Sequence, residues 1–175
     1  ESLDGVTYVN RAKRSETKPA GEVRAVFYGD APREWDQGVK DMSAREYELA
    51  ISSFAGAENA FTAGILKRDW VVEHGAFKQV MCLLALSSTT PAKVNETLKA
   101  FEAFVAKFPE SRLLPDALIG LGKALILAEQ PGAARKQFEK VVKLAGEKKL
   151  FVTIAFRARL GLASAYANEQ DWTHA

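Results

Sequence analysis

The sequence predicts a mostly α-helical protein, in which helical hairpins stack into an α-solenoid behind a short N-terminal β element. Three observations lead to this fold class. No convincing strand pattern occurs after residue 31, the helical segments come in pairs, and one side-chain pattern returns on the second helix of successive pairs. We therefore expect a short β element over residues 1–30 and a helical repeat domain over residues 31–175.

The composition is that of an ordinary globular domain. The 175 residues are 47% hydrophobic and 26% charged, which provides enough apolar surface for a sizeable core. The 24 basic and 22 acidic residues leave a formal charge of +2, too near neutral to indicate a nucleic-acid-binding protein. No apolar run approaches the roughly 18 residues that a membrane-spanning helix needs. We therefore expect neither nucleic acid nor membrane insertion of this segment.

The first thirty residues have the composition of two strands. The stretches GVTYVN (5–10) and EVRAVFYG (22–29) are rich in β-branched and aromatic residues, which strands favour. The polar segment between them contains Pro19 and Gly21 and is typical of a connecting loop. Because a lone hairpin is only marginally stable in water, we expect these strands to pack on the helices or to belong to a small sheet.

Apolar residues at helical spacing, separated by stretches rich in Pro, Ser and Thr, predict eight helical segments in the remainder of the chain. Their pairing indicates helical hairpins. The predicted helices are 31–43, 46–64, 69–87, 92–107, 113–128, 131–145, 149–168 and 171–175.

A repeat is visible on the second helix of these pairs. YELAISSFAGA (47–57) places a ring, an alanine, a ring and an alanine at offsets of three, four and three residues, which one helical face collects. The same offsets return within 94–104 and 131–141, and begin again within 172–175. Such intervals fit one helical hairpin per unit, with insertions.

With these motifs, residues 31–175 resemble the tetratricopeptide repeat family, whose unit is a helix pair of about 34 residues. The family pattern has a small residue on the first helix, a small residue between aromatic residues on the second, and a closing proline, which Pro109 matches. The second unit departs from it, because Thr97 replaces the alanine. The small positions of the first helix are matched by Gly38, Gly122 and Ala163, and those of the second helix by Ala50, Ala134 and Ala175.

The pattern has a physical reason, because two helices approach to about 8 Å only where small residues meet. Rings further along the second helix then fill the space towards the next unit. An irregular bundle of amphipathic helices is the alternative. The expected crossing pairs are Gly38 with Ala50 and Gly122 with Ala134, and the expected filling rings are Phe54, Phe101 and Phe138.

No set of residues indicates catalysis, a cofactor or a metal ion. Cys82 is the only cysteine and lies in an apolar run, as a small buried hydrophobe does. His74 and His174 are on separate predicted helices, and neither has a second ligand at helical spacing. We therefore predict a protein that is not an enzyme and has no cofactor.

The resemblance implies that the first helices of successive units line a concave groove for a peptide or helix of a partner protein. These positions are mostly apolar, which favours an amphipathic helix or an extended hydrophobic segment as ligand. Packing of Trp35 and Ile119 within the hairpins is the open alternative. The implied groove residues are Trp35, Val39, Asp116, Ile119, Lys123, Ile126, Leu160 and Ser164.

The function predicted from the sequence is thus a non-catalytic scaffold or adaptor. One alternative is a self-assembling protein, because no polar capping face is visible before Ala175, and we expect either further chain or another copy to cover that end. A regulatory helical domain of a larger protein is the other. The run FPES (108–111) is similar to that of bacterial envelope-associated members of the family, which favours the periplasm over the cytoplasm.

Overall fold

A computed structural model describes residues 1–29, 31–62 and 69–169, and most of them are α-helical. The mostly helical fold behind N-terminal strands is confirmed, whereas stacking into an α-solenoid stays a prediction. The predicted helix at 171–175 lies outside the described residues. The elements are β1 (Gly5–Val9), β2 (Ser15–Pro19), α1 (Arg33–Ser43), α2 (Tyr47–Thr62), α3 (Asp69–Ser87), α4 (Val94–Lys107), α5 (Leu114–Leu127), α6 (Pro131–Glu147) and α7 (Val152–Asn168).

The chain forms two compact units, and neither of them begins or ends at the predicted boundary after residue 30. The first unit combines Glu1–Val26 with Val105–Ala175, and the second is Phe27–Phe104. The strands therefore belong with α5, α6 and α7. The backbone N–H of Leu3 donates to the carbonyl of Glu110 at 3.1 Å, and Lys148 forms an ion pair with Asp4 at 2.9 Å.

The second strand is not where the sequence predicts it. β1 pairs with β2 in an antiparallel hairpin, with Gly5 opposite Pro19 and Val9 opposite Ser15. The prediction of a strand at 22–29 is wrong, because a tight turn reverses the chain directly after β1. In that turn Lys13 has a φ of 59°, and the polar residues that follow become the partner strand.

Residues 20–29 form no strand and instead make separate contacts, at Gly21 in the first unit and at Tyr28 in the second. Ala20–Glu22 is a short 3₁₀ helix, and a Cβ added at Gly21 would lie 2.3 Å from the carbonyl oxygen of Lys149. Only a glycine allows the backbone to pass so closely. In the second unit, the ring of Tyr28 stacks on that of Trp70 with centroids 4.0 Å apart.

In the second unit, α2 packs between α1 and α3. The core of the second unit contains Ala50, Phe54 and Cys82, which are fully buried. On α4, Phe101 is also fully buried. The hydroxyl of Thr97 lies 2.9 Å from the carbonyl of Lys93 and 3.2 Å from that of Leu83 on α3, and it can donate its one hydrogen to either. The aromatic and small positions of the repeat pattern therefore face the core.

In the first unit, α6 packs on both α5 and α7. Phe138 of α6 is fully buried, and a Cβ added at Gly122 of α5 would lie 2.6 Å from its ring. On α7, Gly161 also lies against the Phe138 ring, because a Cβ added there would be 2.4 Å from it. Ala163, the small position that the family pattern selects on this helix, is half-buried. The closest contact of Gly122 is thus a ring, although Ala134, the expected partner, is fully buried as well.

The same arrangement occurs in the second unit. A Cβ added at Gly38 would lie 2.8 Å from the ring of Phe54, and its three nearest atoms all belong to that ring. The glycine therefore makes room for the aromatic residue of the second helix, rather than only for Ala50. The ring fills space within its own hairpin and also shares a buried cluster with Cys82 of α3, the first helix of the next predicted hairpin.

Candidate functional site

The residues implied to line a groove are divided between the two units. Trp35 and Val39 belong to α1 of the second unit, and the other six belong to the first unit. The Trp35 ring is half-buried, with its centroid 5.3 Å from that of Phe54 and 4.9 Å from that of Trp70. Val39 is exposed. Trp35 thus packs within its unit, as the alternative interpretation holds.

In the first unit, α5 and α7 share a cavity of about 240 Å³ that we call the α5–α7 groove. It brings together four of the implied residues, Lys123 and Ile126 from α5 and Leu160 and Ser164 from α7. The spacings of three residues on α5 and four on α7 place each pair on one helical face. The groove residues are Lys123, Ile126, Phe138, Arg157, Leu160, Gly161 and Ser164.

Ile119 does not line this groove. Its side chain is 1% exposed and belongs to the core, which corrects the expectation that it faces a ligand. Ile119 lies near the middle of α5, a helix that contacts both α6 and α7. Lys123 is exposed and Ile126 is half-buried, whereas Ala124 and Leu125 between them are buried, so the groove residues lie on a less covered face of α5.

The groove has an apolar lining with cationic side chains around it. Leu160 is 62% exposed, so a large apolar side chain is held at the surface. Lys123 and Arg157 are both exposed, and Arg157 donates a hydrogen bond to the carboxylate of Asp116. That pair places Asp116, another implied residue, beside the groove rather than in its lining.

Two of the groove residues, Arg157 and Gly161, are not named by the sequence analysis. The pattern selects positions by their offset from the small residue of the first helix. Arg157 lies six residues before Ala163, the offset at which Asp116 precedes Gly122, so the pattern itself could have included it. The spacing of Arg157, three residues before Leu160 and seven before Ser164, is a second signal that could have found it, since such residues share a helical face.

Within the described residues, no group of three or more side chains is arranged to hold a metal ion. His74 lies among aromatic rings, 5.9 Å from that of Trp70 by centroids, while His174 lies outside the described residues. Cys82 is fully buried, and burial raises the pKa of its thiol to about 11, far from that of a nucleophile. None of the described helices combines the length and the hydropathy needed to cross a membrane.

No family model matches the chain, and no curated protein matches it either. The resemblance to tetratricopeptide repeats accordingly depends on the motifs and on the helix pairs described above.

Proposed function

We propose that this protein is a non-catalytic scaffold that binds a peptide or a helix of another protein in the α5–α7 groove. The observation that carries the proposal is the convergence of Lys123, Ile126, Leu160 and Ser164 on one cavity. These are positions at which the resembled family contacts its partners.

The chemistry of the groove indicates what kind of segment would bind there. Ile126 and the exposed Leu160 offer apolar surface, whose removal from water favours association. Lys123 and Arg157 add positive charge beside it, which favours acidic groups in the ligand. An amphipathic helix or extended segment with apolar and acidic residues is therefore the ligand that we propose.

Selection from phage-displayed random peptides tests this proposal and requires no candidate partner. We expect selected peptides to combine apolar and acidic residues and to bind the wild-type protein saturably in fluorescence anisotropy. Leu160→Asp should weaken this binding at least about tenfold, because it removes apolar contact and repels acidic groups.

The matched control is Leu49→Asp, because Leu49 on α2 is 59% exposed, close to the 62% of Leu160, and lies in the other unit. Circular dichroism should show both variants folded. Equal peptide binding by wild type and Leu160→Asp, or the absence of any saturable peptide, would refute the proposal.

Self-association is a second candidate, supported by a different observation on α7. Val152, Phe156 and Leu160 are 74%, 66% and 62% exposed, and their spacing of four residues forms one apolar stripe. Exposed stripes of this kind often mark interaction surfaces. Light scattering should then show a dimer or larger species for wild type and a monomer for Phe156→Asp, and a concentrated wild-type monomer would exclude this candidate.

A further inference from the structure

A second cavity of the first unit, of about 230 Å³, is lined by three separate segments of the chain. We call it the arginine pocket, because each segment contributes one arginine. Arg24 comes from the segment after the 3₁₀ helix, Arg112 precedes α5, and Arg157 belongs to α7. The lining between them is mixed, with apolar side chains such as Val23 and Ile154 beside the polar side chains of Asp116 and Thr153.

The positive charges of the arginine pocket are only partly balanced. Arg112 pairs with the carboxylate of Glu1, and Arg157 pairs with that of Asp116. Arg24 is exposed and forms neither an ion pair nor a hydrogen bond with any residue that the structure describes. Three guanidinium groups thus face two carboxylates, which leaves a charge that an anionic ligand would balance.

The first turn of α7 adds to the positive potential. Leu150, Phe151, Thr153 and Ile154 line the pocket, and Phe151 at the start of the helix provides no capping side chain. The first turn also contains no acidic residue. The N–H groups of such a turn carry a partial positive charge that favours anions.

The size and the walls of the pocket restrict the anion. Liquid water occupies about 30 Å³ per molecule, so the cavity has room for roughly seven water molecules. This is less than the range of about 300–1,000 Å³ typical of sites for drug-sized ligands. Inorganic phosphate would leave the apolar part of the lining, including Val23 and Ile154, without contacts, whereas an organic acid with an apolar body would cover it.

We propose that the arginine pocket binds a carboxylate attached to an apolar body about the size of one amino-acid residue. Two sources share this chemistry: a free small organic acid, and the last residue of a peptide with its terminal carboxylate. Arg157 lines both this pocket and the α5–α7 groove, so a peptide in the groove could present its end here. The carboxylate site itself does not depend on the proposed function.

Titration of the isotope-labelled full chain, followed by the Nε–H signals of its arginines in NMR spectra, tests this site. The probes are N-acetyl-leucine, its neutral analogue N-acetyl-leucinamide, and inorganic phosphate. We expect N-acetyl-leucine to shift the signals of Arg24 and Arg112 saturably at millimolar concentration, as ligands of this size bind. The amide should cause no saturable shift, and phosphate should bind at least about tenfold more weakly.

A short peptide that ends in a free leucine carboxylate distinguishes the two sources. Binding at least about tenfold tighter than that of N-acetyl-leucine supports the pocket as a site for a peptide end. Equal binding supports it as a site for a free acid, because residues outside the pocket then contribute nothing.

The matched variants are Arg24→Gln and Arg11→Gln, which remove the same charge from exposed positions of the N-terminal segment. Arg24→Gln should weaken N-acetyl-leucine binding about tenfold, the usual effect of losing one charge-assisted hydrogen bond, and Arg11→Gln should leave it unchanged. Equal responses to acid and amide, phosphate binding as tight as the acid, or unaltered binding by Arg24→Gln would overturn the proposal. Peptide binding that is sensitive to Leu160→Asp would survive any of these results, so the two proposals fail separately.

Discussion

Replacing Gly122 with alanine is expected to destabilise the protein, although the same change stabilises most helices. Alanine is favoured over glycine by about 1 kcal/mol in a helix interior. At Gly122, however, the new Cβ would lie 2.6 Å from Cζ and 2.7 Å from Cε1 of Phe138, whereas carbon atoms attract each other best at about 3.5–4.0 Å. The Phe138 ring is fully buried, and its Cε1 would also be 2.4 Å from a Cβ on Gly161. The ring therefore has little freedom to move aside.

The expected magnitude follows from these two opposing terms. Overpacking of a buried position costs about 1–3 kcal/mol, and the helix propensity of alanine returns about 1 kcal/mol. Gly122→Ala should thus lower the free energy of unfolding by up to about 2 kcal/mol in urea titrations followed by circular dichroism. Gly146→Ala in α6 is the control, because nothing lies within 4 Å of its added Cβ. It should stabilise by up to about 1 kcal/mol.

A double-mutant cycle with Phe138→Leu identifies the ring as the cause. Leucine lacks the Cε and Cζ atoms that the new Cβ would meet, so Gly122→Ala should cost less in the Phe138→Leu background. We expect a coupling free energy of about 1–2 kcal/mol. Two results would refute the reasoning: Gly122→Ala stabilising as much as Gly146→Ala, or effects of Gly122→Ala and Phe138→Leu that simply add.

Three further side chains give measurable expectations. Burial raises the thiol pKa of Cys82 from 9.0 to about 11, so the free energy of unfolding should fall more between pH 9 and 11 in wild type than in Cys82→Ala; equal pH profiles would contradict this. Thr97→Val removes the buried hydroxyl that donates to the Leu83 or the Lys93 carbonyl and should lower the free energy of unfolding by about 1 kcal/mol, whereas an unchanged urea midpoint would show that neither hydrogen bond stabilises the fold. The hydroxyl of Tyr8 lowers the pKa of Glu16 below 4.5, so this interaction is present above that pH and lost as pH falls. In NMR titrations Tyr8→Phe should raise the Glu16 midpoint, and an unshifted midpoint would show that the hydroxyl is not the cause.

Helical spacing predicted both ends of every α-helix in the described residues to within three residues. The signals are local, since an apolar face requires residues three and four apart and Pro or Gly interrupts it. The same local character explains the error at the N-terminus. The β-branched composition of 22–29 predicts a strand, but the turn at Lys13 brings Ser15–Pro19 to β1 first, and Tyr28 packs on Trp70 instead.

Helical spacing predicted only part of the proposed binding surface in the α5–α7 groove. Lys123 and Ile126 share a face of α5 because of helix geometry, and Leu160 and Ser164 share a face of α7 for the same reason. That these two faces line one groove, and that Ile119 is buried, are consequences of how the helices of the first unit pack.

The amino-acid sequence by itself determined the helices, the hairpin pairs and the small and aromatic positions of the core. Each of these depends on neighbours a few residues away, whose relative positions are set by backbone geometry. Only the folded chain shows that Phe138 occupies the space left by Gly122 and Gly161, and that Arg24, Arg112 and Arg157 meet around one pocket. Contacts between distant segments depend on the angles and distances at which helices pack, and no spacing along the chain encodes them.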